Sequence, residues 1–184
     1  MEPDLAAFLL GRWPVVTEAV DWGNGFRFRV AAYLGDELPP VAYVTSVRAV
    51  VLRDGLVLVQ RDRDGLHVRP GGRREAGEPL EATLHREVRE ETGWTLCSVS
   101  VLGFMRYHHL DPKPPAHPYP HPDFLQVVYA ARADTFSADA RLDDGYEVES
   151  AFRSVAEIRT LGLSRRERVY LDTALKVGGS PDRR

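Results

Sequence analysis

Gly72, Glu78, Arg86, Glu87, Glu90, Glu91 and Gly93 have the types and the spacing to build a loop, a helix and a cluster of carboxylates around a divalent cation. Pro79 suits the first turn of a helix, where its missing N–H costs nothing, and Glu75, Glu78 and Glu81 suit the positive end. The spacing predicts a helix over 79–92 with Gly93 as its stop. At about 100° per residue, Glu91 falls between Leu80 and Leu84, Glu87 beside Leu80, and Glu90 a step further round. Carboxylates on the edge of an apolar stripe are expensive unless paired or bound to a cation. Glu87 and Glu91 are also i,i+4 neighbours of like charge, which destabilises an isolated helix by roughly 0.2–0.5 kcal/mol. The bland alternative, a solvated helix laced with ion pairs, leaves that placement unexplained. All the candidate ligands are oxygens, which favours Mg²⁺, with Mn²⁺ as a substitute, over zinc. Such an ion keeps waters and completes its shell with substrate phosphates, so a phosphate-bearing ligand is expected. Gly71 and Gly72 let backbone approach a metal or phosphate closely, or else form an ordinary turn.

The segment resembles the Nudix box: a glycine, five residues, a glutamate, seven residues, Arg-Glu, an aliphatic residue, any residue, Glu-Glu, any residue, a glycine and a bulky apolar residue. Every fixed position is met, with Val88 as the aliphatic residue and Trp94 at the end. Chance agreement at a given start is on the order of one in 10⁸ if each fixed type has ordinary abundance, so the match carries weight that a lone glycine motif would not. The resemblance implies an α/β (α+β) fold, a Nudix-type α-β-α sandwich with a mixed β-sheet and extra N-terminal strands. It also implies a Mg²⁺-dependent pyrophosphohydrolase that cleaves the diphosphate of a nucleoside diphosphate joined to another group. By position, Gly71 lends its carbonyl to the metal and Arg86 orients the glutamate beside it. Glu87, Glu90 and Glu91 supply metal ligands or activate water, and Glu78 holds the loop on the helix through Arg86.

A second acidic segment, 143–149, precedes the C-terminal helices where many members of the family carry an acidic residue. Glu149 is the first candidate there for a distant general base and Glu147 the next, with Glu147 also a candidate substrate contact; a solvated acidic turn is the alternative. Arg69 stands where the family commonly has an apolar residue before Pro-Gly-Gly, and either faces the phosphates or caps a strand end. The stretch 108–123 carries His108, His109, His117, His121 and six prolines, and is expected to be irregular. A histidine metal site lacks regular ligand spacing there, so a semi-rigid loop at the substrate mouth is the better reading. Tyr107, Tyr119 and Phe124 could stack on a base or belong to the core.

The remaining elements must position this site. An N-terminal helix is expected near 4–13, strands over 26–34 and 41–53, and a tight hairpin through Asp54-Gly55 to 56–60. A short strand is expected at 66–69, further strands at 94–107 and 124–132, and helices at 154–161 and 164–176. The expected division is an extension over 1–46, a Nudix unit over 47–177 and a loose tail over 178–184. The extra N-terminal strands suggest a homodimer.

At 184 residues with a net charge of −3, the chain lacks the clustered basic surface that polymeric nucleic acid requires, so the expected partner is a small nucleotide-type substrate. No apolar run approaches the roughly 20 residues of a membrane span. Nothing resembles a signal sequence and the single Cys97 excludes an internal disulfide, so a cytoplasmic location is expected. A nucleotide sensor without turnover is the rival reading, which the intact glutamates disfavour. An isopentenyl diphosphate isomerase would need a reactive cysteine, whereas Cys97 reads as an inert core residue.

Overall fold

In a computed structural model, which describes residues 2–23, 26–62, 65–113, 119–141 and 149–178, one mixed sheet runs through the molecule between two helical layers. The strands are β1 (Val16–Asp21), β2 (Arg27–Leu34), β3 (Val44–Arg53), β4 (Leu56–Asp62), β5 (Gly65–His67), β6 (Trp94–His109), β7 (Asp123–Phe136) and β8 (Glu149–Ser154). They are ordered β1-β2-β6-β7-β3-β4-β5, with β8 also paired to β4. The β3–β7 pair is parallel and the other ladders are antiparallel. This is the expected α-β-α sandwich with a mixed sheet and extra N-terminal strands.

The helices are α1 (Pro3–Leu9), α2 (Leu80–Thr92), α3 (Val155–Thr160) and α4 (Arg165–Gly178). Leu5 of α1 and Leu80, Leu84 and Val88 of α2 pack on one face of the sheet with Val47, Ala49 and Leu58. Ile158 of α3 and Tyr170, Leu171 and Ala174 of α4 pack on the other face with Val50, Val59, Met105 and Tyr107. Alternation along each strand supplies both layers, because successive side chains point to opposite faces. No helix among the described residues is long and apolar enough to cross a membrane.

Local chemistry sets the turns that matter. Asp54 and Gly55 both have positive φ, 50° and 77°, the tight mirror-image turn that joins β3 to β4 without splaying them. Below that hairpin β3 and β4 pair only at Leu52–Val57 and Arg53–Leu56. Further along, β3 is bonded instead by the chain that leads into α2. Ala49 N–H donates to the Pro70 carbonyl (2.9 Å), Val47 N–H to the Gly72 carbonyl (3.0 Å), and Arg74 N–H to the Thr45 carbonyl (3.0 Å). The loop over 70–74 is thereby fixed to the sheet. Gly93 caps α2 at φ 77°, as its position predicts.

Several expectations change. β1 was not anticipated; it is an edge strand with only Val16 buried, so its apolar signal is weak. His108 and His109 continue β6 and Asp123 opens β7, so the Pro/His stretch is regular at both ends. His109 N–H donates to the Pro122 carbonyl at 2.8 Å, and Arg27 pairs with Asp111, which draws those ends onto the sheet. His117 lies outside the described residues. Cys97 is exposed rather than core: register shifts between Trp94 and Leu96 and between Leu96 and Ser98 accompany the outward turn of Cys97 and Ser98 together. Glu149 begins a strand instead of ending a loop, while Glu147 and the rest of 142–148 lie outside the described residues, as does the expected tail beyond Gly178.

Candidate active site

α2 carries its glutamates onto the loop that β3 holds. Leu80, Thr83, Leu84, Val88 and Thr92 are the buried residues of this helix. Glu87 and Glu91 fall within the same arc, and they fit there because they face glycines. Glu91 Oε2 accepts the Gly71 N–H at 2.8 Å. A Cβ on Gly72 would lie 2.0 Å from Glu87 Oε2 and 2.3 Å from its Cδ, so the carboxylate occupies the space a side chain would fill. Gly71 is required for a different reason: at φ 130° its Cβ would come within 2.4 Å of the Val47 carbonyl oxygen. Both glycines are demanded by close approach.

Arg86 organises the other side. Its Nε and Nη2 donate to the two oxygens of Glu78, each at 2.9 Å. Nη2 also reaches the Arg73 carbonyl at 3.1 Å. Nη1 donates to Glu87 Oε1 at 2.9 Å and to Glu90 Oε2 at 3.1 Å, so two carboxylates of α2 converge on one nitrogen. Glu78 in turn accepts from Thr83 Oγ1 (2.8 Å) and from the Glu75 N–H (3.2 Å). This fork ties the loop to the helix.

Arg48 is the residue that sequence reasoning passed over. Its Nη1 donates to the Gly71 carbonyl and stands 3.7 Å from Glu91 Oε1. The available signal was a charge inside the otherwise apolar run from Val47 to Leu52. Arg48 and Arg86 together lie against Glu87, Glu90 and Glu91 of the helix.

These contacts pull the carboxyl groups in different directions. Hydrogen bonds from Arg86 hold Glu78 down at about 2 against the opposing effect of burial. Arg86 is raised in return, chiefly by Glu78. Burial pushes Glu87 up, with Arg86 opposing. Because the folded Glu78 titrates below its ordinary 4.5, its contribution to stability is complete above that value and is lost as pH falls toward 2. The melting-temperature gap between the wild type and Glu78→Gln should therefore be constant near neutrality and shrink below about pH 4.5. A gap unchanged at about pH 3 would show that Glu78 is not held ionised by Arg86.

The oxygens gathered here that could serve an ion are the Gly71 carbonyl and the carboxylates of Glu87, Glu90 and Glu91, hard oxygens throughout. Among the described residues no group of three or more His, Cys, Asp or Glu side chains closes on a common point as a metal cage. The arrangement fits an ion that shares its shell with water and substrate oxygens, as Mg²⁺ does.

The other candidates sit apart. Glu149 is more than half exposed and lies 3.8 Å from Arg61 across the β4–β8 ladder; no described contact ties it to α2. Tyr107 is buried and stacks on Phe124 with ring centroids 4.8 Å apart, which makes it a core aromatic. Arg69 turns into the layer beneath α4, where its Nη1 lies 3.5 Å from Met105 Sδ.

Fold and site define one class of protein, and comparison with known proteins agrees. The NUDIX domain family matches residues 42–173, and the chain belongs to that family. A 69-residue stretch is 35% identical to the uncharacterised Nudix hydrolase YvcI of Bacillus subtilis, covering 36% of this chain and 44% of that protein, so the match spans less than half of that relative's length. The crystal structure of a B. subtilis pyrophosphohydrolase superposes with a TM-score of 0.59 at 19% identity, covering 82% of this chain and 92% of that one. A NUDIX hydrolase from Nitrosomonas europaea gives 0.55 at 22% identity over 74% and 89%.

Proposed function

We propose that this protein is a divalent-metal-dependent pyrophosphohydrolase acting on a nucleoside diphosphate linked to another group. The observation that carries this reading is the seating of Glu87 on Gly72 and Glu91 on Gly71, which turns two carboxylates of one helix toward one loop. Glu87, Glu90, Glu91 and the Gly71 carbonyl would hold Mg²⁺, and Mn²⁺ suits the same donors. When bound, the ion neutralises charge developing on the phosphorus oxygens and lowers the pKa of a bound water.

The chain's own residues do the rest. Arg86 fixes Glu87 and Glu90 in direction and lends them a positive neighbour. Arg48 does the same for Glu91. A carboxylate then takes the proton from the attacking water. Glu90, the most open of the three glutamates that face Arg86, and Glu149 at the start of β8 are the two candidates for that role.

The test is a panel of nucleoside triphosphates, ADP-ribose, nucleotide sugars and dinucleoside polyphosphates, assayed with Mg²⁺, with Mn²⁺ and with EDTA. Turnover of at least one class is expected, and only with metal. Chelation that leaves the rate unchanged would sink the proposal. Tight binding across the panel without turnover would replace the enzyme by a nucleotide sensor.

A further inference from the structure

Arg69 lies between Val68, which is fully buried, and Pro70. Its Nε is sealed from solvent and has no hydrogen-bond partner. Its Nη1 meets only a thioether, Met105 Sδ at 3.5 Å, a weak acceptor. Among the described residues no carboxylate forms an ion pair with it, whereas Arg86 and Arg106 each find one or more. Its surroundings belong to the apolar layer under α4, which includes Met105, Tyr107 and Tyr170.

A part-buried guanidinium whose Nε is sealed without a partner is costly, and the protein would be more stable with an apolar side chain there. Arg48 lies near enough for its positive charge to repel that of Arg69. Two cations that repel each other in a poorly solvated place lower their energy together when an anion arrives. Arg48 also serves Gly71 and Glu91, so Arg48 and Arg69 form a path of positive charge from the glutamates of α2 into the opposite layer.

We propose that Arg69 is a specificity-determining residue that grips a second phosphate of the substrate, lying beyond the diphosphate held at the glutamates, with Arg48 as the adjacent charge. This rests on the reading of the site as a diphosphate-cleaving one. The substrate class is a nucleoside diphosphate derivative bearing an additional terminal phosphoryl group, whose oxygens match the planar fork of a guanidinium. That phosphate is either the end of a longer 5′ chain or a substituent on a ribose.

Two measurements test the proposal. The first needs no turnover: melting temperature in EDTA with and without millimolar inorganic phosphate. The wild type should be stabilised by phosphate. Arg69→Met, which keeps length and removes charge, should melt about 2–4 °C higher than the wild type without phosphate and lose the phosphate response; Arg69→Lys should retain part of it. The second compares kcat/KM for matched pairs, a nucleoside triphosphate against the diphosphate and ADP-ribose 2′-phosphate against ADP-ribose. The wild type should favour the extra phosphate in one pair by about tenfold or more, the scale of a hydrogen bond to a charged group. Whichever pair responds identifies the source, and the preference should collapse in Arg69→Met.

A lower melting temperature in Arg69→Met with the phosphate response intact would make Arg69 a structural strut and overturn the proposal. Equal kcat/KM within both pairs in the wild type would do the same. If no substrate turns over, the phosphate response still decides the matter, so this proposal and the assignment of the enzyme fail separately.

Discussion

Glu91→Gln should keep the fold and lose turnover by about 10²–10⁴-fold, the range expected when a positioned carboxylate is removed from an active site. The amide has the same shape and can still accept the Gly71 N–H that Glu91 Oε2 accepts at 2.8 Å. What disappears is the charge that faces Arg48 at 3.7 Å and that would face the metal. Arg48 keeps nearly a third of its side chain exposed, so the lost ion pair is worth at most about 1 kcal/mol of stability. Melting temperature and kcat should therefore separate cleanly, the first nearly unchanged and the second collapsed. Wild-type turnover in this variant would remove Glu91 from the site.

Gly72→Ala should be nearly as damaging through a single methyl group. The new Cβ would overlap Glu87 Oε2 at 2.0 Å and Oε1 at 2.7 Å. Those atoms end a flexible side chain, so the carboxylate swings aside and leaves Arg86 Nη1 behind. A displacement on the order of 1 Å at a reacting group lowers the rate about 10²-fold. Gly71→Ala differs in kind: its Cβ meets the Val47 carbonyl oxygen at 2.4 Å with φ at 130°. Backbone must move there, and strain of about 1–3 kcal/mol should appear as lost stability. Activity loss in the first variant and instability in the second, measured by kcat/KM and thermal melts, would separate the roles of the two glycines. A fully active Gly72→Ala would mean that Glu87 need not sit where it does.

Much of the architecture could be read from local signals. Pro79 and Gly93 bracket α2 because a missing N–H and a left-handed φ are properties of single residues. The Asp54-Gly55 hairpin is likewise a local matter. Features that depended on pairing were harder to see. β1 buries little and is held by β2. Glu149 looked like part of an acidic loop until the ladder with β4 made it strand. Cys97 looked interior because nothing local announces the irregular pairing of β6 with β7 around it.

The same division runs through the site. The order of Arg86, Glu87, Glu90 and Glu91, the oxygen character of the ligands and the sharing of one helix edge by carboxylates and leucines are all consequences of sequence, since helical geometry is set by the backbone alone. Which atoms those carboxylates meet depended on the fold. Gly71 and Gly72 become their seats only because β3 bonds the loop in place, and Arg48 enters from a strand far away in the chain. Arg69 at the sequence level was a charge with two readings. Its seating beside Met105, Tyr107 and Tyr170, with no ion pair among the described residues, is a property of packing between distant segments, which no spacing along the chain encodes.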